Sequence, residues 1–152
     1  MYLFVLVVHS WLRWVALVAG VGATAAAFAG PLYTERADRA DLWGLVLMMA
    51  LDVQMLLGLA LYLALSPITA QAMNDFGGAM AQPALRFWGV EHISAMFGAV
   101  ILAHVARVMA RNASTPASKR TRLLVCFGLA TLLMIARTPW PGMAIGRPLF
   151  RF

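Results

Sequence analysis

The hydrophobic positions of this chain gather into four long runs separated by short polar stretches. The first extends from Tyr2 to Phe28, interrupted only by His9, Ser10 and Arg13. Gly30-Pro31 ends it, because Pro31 lacks an N–H and disfavours helical geometry in the residue before it. The second extends from Leu42 to Leu65 and stops at Ser66-Pro67. The third covers Leu85 to Ala110 and follows the breaker Pro83. The fourth is uninterrupted only from Leu123 to Ala136, and Thr138-Pro139-Trp140-Pro141 closes it. A bilayer core of about 30 Å takes about 20 apolar residues per helix. The runs are therefore read as transmembrane spans of about 2–28, 42–65, 85–110 and 120–138, the last borrowing flanking residues on both sides. Short connections predict an all-α, integral membrane, up-down four-helix bundle over residues 1–138. Residues 139–152, rich in Pro, Gly and Trp, read as an interfacial tail along the headgroups.

Composition agrees and narrows the class. Hydrophobic residues make up 62% of the 152 and charged residues only 12%, with a mean hydropathy of +0.80. Soluble domains hold about 45–50% apolar and about 25% charged residues, and a chain this short has no core large enough for the excess. A soluble globular enzyme and a disordered chain are both excluded. The single Cys126 excludes a disulfide framework and any Cys-based zinc or iron–sulfur centre. The net charge of +6 resembles a nucleic-acid signal, but its placement reads as membrane topology instead. Arg107, Arg111, Lys119, Arg120 and Arg122 lie between helices three and four with no acid among them, which makes that connection cytoplasmic. Arg36 and Arg39 between helices one and two are offset by Glu35, Asp38 and Asp41. Residues 66–84 hold Asp75 and no Lys or Arg, which places that connection outside with both termini. Arg137, Arg147 and Arg151 run against this rule. The expected surroundings are lipid, with no nucleic-acid partner. Ala23 to Ala29 offers small residues for signal cleavage, yet no positive charge precedes the run, so helix one is read as retained.

Ionisable groups inside membrane segments are costly and mark function by default. Here they are His9 and Arg13 in helix one, Asp52 in helix two, and Glu91, His92 and His104 in helix three. At about 1.5 Å per residue, His9 and His92 each lie roughly 10 Å below the outer end of their helices. Two neutral imidazoles at one level on opposed helices suit axial ligation of a b-type heme. Arg86 and Arg137 at the outer helix ends would pair its propionates, since guanidinium binds carboxylate bidentately. Hydrogen bonds to backbone or to Ser10 and Ser94 are the plainer use of the histidines. Arg13 and Asp52 share a depth and are expected to form a buried ion pair. Glu91 is expected to accept from Arg86 or a histidine, or with Gln54 to serve a quinone. His104 has no histidine partner at its depth; a second heme there would draw on Met48, Met49 or another subunit. Trp11 and Trp14 read as packing residues that also lie where a ring cofactor would sit.

The runs His9-Ser10-Trp11-Leu12-Arg13-Trp14, Gln54 to Tyr62, Arg86-Phe87-Trp88-Gly89-Val90-Glu91-His92 and Pro139-Trp140-Pro141 resemble a group of small four-helix bacterial membrane proteins labelled cytochrome b-like. The resemblance touches all four helices through short motifs. It implies heme-linked electron transfer in the bacterial cytoplasmic (inner) membrane, with His9 and His92 as ligands and Arg13 near the cofactor. Asp52 stands near where that group often carries a further His, a departure that counts against a second heme. The sequence-based expectation is a b-type cytochrome-like protein or subunit exchanging electrons with a quinol or a partner protein. The alternative is a heme-free accessory subunit of a larger respiratory or photosynthetic membrane complex.

Overall fold

The computed structural model describes residues 1–29 and 35–151. The expected stop at Gly30-Pro31 lies outside them. The described residues are helical with no strand: α1 (Tyr2–Phe28), α2 (Glu35–Ala60), α3 (Pro67–Asn74), α4 (Phe76–Ala81), α5 (Pro83–Arg86), α6 (His92–Arg111) and α7 (Pro116–Ala136). Two wide turns extend this pattern, one continuing α2 over Leu61–Leu65 and one joining α5 to α6 over Phe87–Glu91. Among the described residues, three continuous helices are long and apolar enough to cross a membrane: Tyr2–Phe28, Arg39–Leu65 and Pro83–Arg111. The fourth run does form a long helix, but Lys119, Arg120 and Arg122 in its first two turns leave it short of that apolar length.

Local chemistry sets the breaks. Ser66 stops the second span and caps α3, its hydroxyl accepting from the Thr69 N–H at 3.4 Å, with Pro67 in the first turn where its missing N–H costs nothing. Asp75 caps α4 and Thr115 caps α7 in the same way. The connection between the second and third spans is thus a chain of short helices rather than an open loop.

The long helices close a ring in which α1 packs on α2 and α7, and α6 packs on α2 and α7. Side chains fix which ends meet. Arg120 donates to the Phe28 carbonyl, Arg107 donates to the Asp41 carbonyl at 2.9 Å, and Lys119 pairs with the Asp41 carboxylate at 3.0 Å. These contacts put Arg107, Lys119 and Arg120 together at one end of the bundle, its basic end. At the other end Gln54 donates to the His9 carbonyl at 2.9 Å, and His92 bonds the Arg137 carbonyl.

Side-chain size is distributed inside out. The buried stripes are Ala16, Ala19, Ala23 and Ala27 on α1 and Ala99, Ala103, Ala106 and Ala110 on α6. Val15, Val18, Val21, Leu56, Leu63, Ile101, Val108 and Leu132 point outward. Small residues let backbones approach where lipid removes any hydrophobic drive between helices, and the large apolar side chains fit contact with lipid tails. Near the basic end Phe127 of α7 is fully buried and reaches across the ring to Gly44 of α2. With Leu47 and Leu123 it fills that half of the bundle. The other half is hollow.

Candidate functional site: a histidine-lined cavity

The hollow half holds a cavity of ≈ 140 Å³ bounded by α1, α2, α6, the end of α7 and the C-terminal tail. Most of its wall is apolar, from Leu6, Leu17, Leu51, Met55, Ile93, Met96 and Met134. The polar groups that converge on it include His9, Gln54, Tyr62, His92 and three arginines, Arg13, Arg147 and Arg151.

His9 and His92 come from helices on opposite sides of the ring, and both side chains line this cavity. His92 is held firmly. Its Nδ1 bonds the Arg137 carbonyl at 2.8 Å, and a carbonyl only accepts, so Nδ1 carries the proton and Nε2 keeps the lone pair. Phe87 and Trp88 flank the ring, with centroids 5.8 and 5.5 Å away. His9 is held differently: its Nδ1 is buried without a hydrogen-bond partner. The nearest wall is Gly58, where a Cβ would stand 3.4 Å from His9 Cε1. Among the described residues no three His, Cys, Asp or Glu side chains cluster together.

Both wide turns lie at this end. Ser66 N–H bonds the Leu61 carbonyl and His92 N–H bonds the Phe87 carbonyl, each skipping five residues instead of four. Such turns leave the helical ladder short of donors, and hydroxyls supply them here. Tyr62 Oη donates to the Gly89 carbonyl at 2.7 Å, and Thr69 Oγ1 donates to the Tyr62 carbonyl at 2.9 Å. The second turn ends on His92, so it sets the direction in which that side chain leaves the helix.

Arg86 and Arg137 do reach the level of His92, but neither lines the cavity. Glu91 engages both, with Arg86 Nε at 2.8 Å from one carboxylate oxygen and Arg137 Nη1 at 3.0 Å from the other. Acceptance from Arg86 was one of the expected roles for Glu91. The expected Arg13–Asp52 pair does not form. Gln54 faces α1, and Asp52, two residues earlier, is turned about 200° away at about 100° per residue. Asp52 instead meets His104, whose Nε2 lies 3.5 Å from Oδ2 while Nδ1 bonds the Val100 carbonyl. That pair sits half exposed on the outer face of the bundle, away from the cavity, and gives His104 partners of its own. Arg13 turns inward and donates from Nη2 to the Leu149 carbonyl at 2.8 Å.

The tail supplies what the sequence did not reveal. Trp140-Pro141-Gly142-Met143 forms a tight turn, closed by Met143 N–H on the Trp140 carbonyl, with Gly142 at φ 90°. The reversal sends residues 147–151 back across the cavity mouth. Trp11 Nε1 donates to the Arg151 carbonyl, and Trp14 Nε1 joins Arg13 on the Leu149 carbonyl. Phe150 packs on Trp11 and stacks on Trp14 at 5.6 Å. The two tryptophans are thus packing residues, as expected, and their partner is the tail. Pro141-Gly142 was the available signal for the reversal. Comparison of the chain with protein-family models, curated proteins and solved structures finds no match.

Proposed function

We propose that this chain is a membrane-embedded, b-type cytochrome-like electron-transfer protein or subunit that holds heme b between His9 and His92. The supporting observation is the cavity itself: two imidazoles from opposite helices converge on one apolar chamber. A bound heme would supply reversible one-electron chemistry at its iron, which no side chain here provides. The residues present fit that group. His92 offers Nε2 with its tautomer and direction fixed by the Arg137 carbonyl, the arrangement by which ligating histidines gain basicity. His9 is a buried imidazole lacking a protein partner at Nδ1, and Gly58 leaves room beside it. Trp88 and Met96 add apolar surface to the chamber wall.

In this reading the four long helices run up and down through the bacterial inner membrane, with the basic end cytoplasmic and both termini periplasmic. Electrons pass to or from a quinol or a partner protein at the outer end, where the cavity opens. One observation favours the rival reading of a heme-free accessory subunit. The Asp52–His104 pair on an otherwise apolar outer face is a natural contact for a neighbouring subunit's helix.

Absorbance of the purified protein, oxidised and then dithionite-reduced, tests the proposal. A reduced b-type band is expected, lost in both His9→Ala and His92→Ala and retained in His104→Ala. A folded but colourless protein after expression with ample heme overturns it.

A further inference from the structure

We propose that Arg13, Arg147 and Arg151 form an anion-binding subsite at the cavity mouth, closed by the C-terminal strap, which takes the two carboxylates of the tetrapyrrole. This rests on the heme reading above. Its starting point is a charge imbalance. Three arginines line the cavity and no Asp or Glu does. None of the three forms an ion pair among the described residues, whereas Arg86 and Arg137 share Glu91, and Lys119 has Asp41.

The local geometry leaves these cations available. Arg13 spends Nη2 on a backbone carbonyl, while its Nε is buried without an acceptor. Arg147 lies over the Trp88 ring at 5.4 Å, a face contact that leaves the N–H edges of the guanidinium for a bidentate acceptor. Arg151 lines the same cavity as Arg13, and its carbonyl is held by Trp11, two residues before Arg13 on α1. The strap is fastened through the backbone carbonyls of Leu149 and Arg151 and through Phe150, so its anchoring does not occupy the two strap guanidiniums. Like charges crowded at the rim of an apolar chamber are unfavourable unless an anion joins them. The ligand this selects has a flat apolar body for the chamber and carboxylates for the rim. A fatty-acid carboxylate shares the rim chemistry but not the body.

The test titrates the full-length protein, heme-depleted in detergent micelles, with hemin, hemin dimethyl ester and oleate. Binding is followed by Soret absorbance and tryptophan quenching, in the wild type and in Arg147→Gln/Arg151→Gln. Hydrogen bonds to charged groups predict that the wild type binds hemin at least about tenfold more tightly than the ester. The double variant should bind the ester as the wild type does, which shows that it is folded, and should lose the preference for hemin. Equal affinity for hemin and ester in the wild type, or a preference that survives in the variant, overturns the subsite and leaves the heme reading standing. If neither porphyrin binds, the heme reading fails and the tetrapyrrole assignment falls with it. Oleate binding by the wild type alone would then move the subsite to a lipid carboxylate.

Discussion

Gly44→Ala is expected to destabilise the bundle through a single ring. A Cβ at this position would stand 2.5 Å from Phe127 Cζ and 2.9 Å from Cε2. Comfortable carbon contacts lie at about 3.5–4.0 Å, so the ring must retreat by roughly 1 Å. It has little room to do so, because Phe127 is 0% exposed and Leu47 and Leu123 share the same filled half of the core. Overpacking of this kind costs about 1–3 kcal/mol, and the penalty is steric, so it does not depend on whether water or lipid surrounds the protein. Phe127→Leu shortens the reach across the ring and should relieve the clash. The four proteins form a double-mutant cycle, read from unfolding in mixed micelles with increasing dodecyl sulfate and followed by helical circular dichroism. Side chains in contact couple by about 0.5–3 kcal/mol, and here the sign favours the double variant. Additivity within about 0.3–0.5 kcal/mol would refute the claim that α2 and α7 meet through this ring.

Two further outcomes follow from the histidine end. Tyr62→Phe removes the donor to the Gly89 carbonyl at the wide turn before His92 and should cost about 0.5–1.5 kcal/mol. That corresponds to a fall of a few degrees in Tm, and an unchanged Tm would show that the turn needs no such donor. Glu91→Gln loosens both arginine contacts, but the groups are partly exposed, so each pair is worth at most about 1 kcal/mol. A loss well beyond about 2 kcal/mol would mean that the Glu91 clamp carries more of the α6–α7 junction than its exposure allows.

Several features were legible because they depend on near neighbours in the chain or on the bilayer. The apolar runs gave the helices, and Ser66-Pro67 and Pro83 gave breaks that the structure keeps. Counting residues from the helix ends put His9 and His92 at one level, and both line the same cavity. Counting gives depth but not direction around the axis. Arg13 and Asp52 share a depth and still do not meet, because the face of α2 turned toward α1 is the one carrying Gln54. The two tail arginines of the cavity, Arg147 and Arg151, escaped for a related reason. Arg86 and Arg137 lie in the expected register, but Glu91, one residue before His92, reaches both.

Sequence alone was enough for a helical chain with apolar runs long enough for a membrane, and for the scarcity of polar groups within those runs that makes each one informative. These follow from composition and from a fixed rise per residue, both of which are local quantities. Packing, by contrast, settles which half of the bundle is filled and which is hollow, which partners the charged groups choose, and that the tail crosses the cavity mouth. Those outcomes depend on which helix faces meet and on a chain reversal at Gly142, and they bring together residues as far apart as Trp11 and Arg151. No local pattern encodes such a contact, because its free energy arises only when the helices that carry the two partners have already packed.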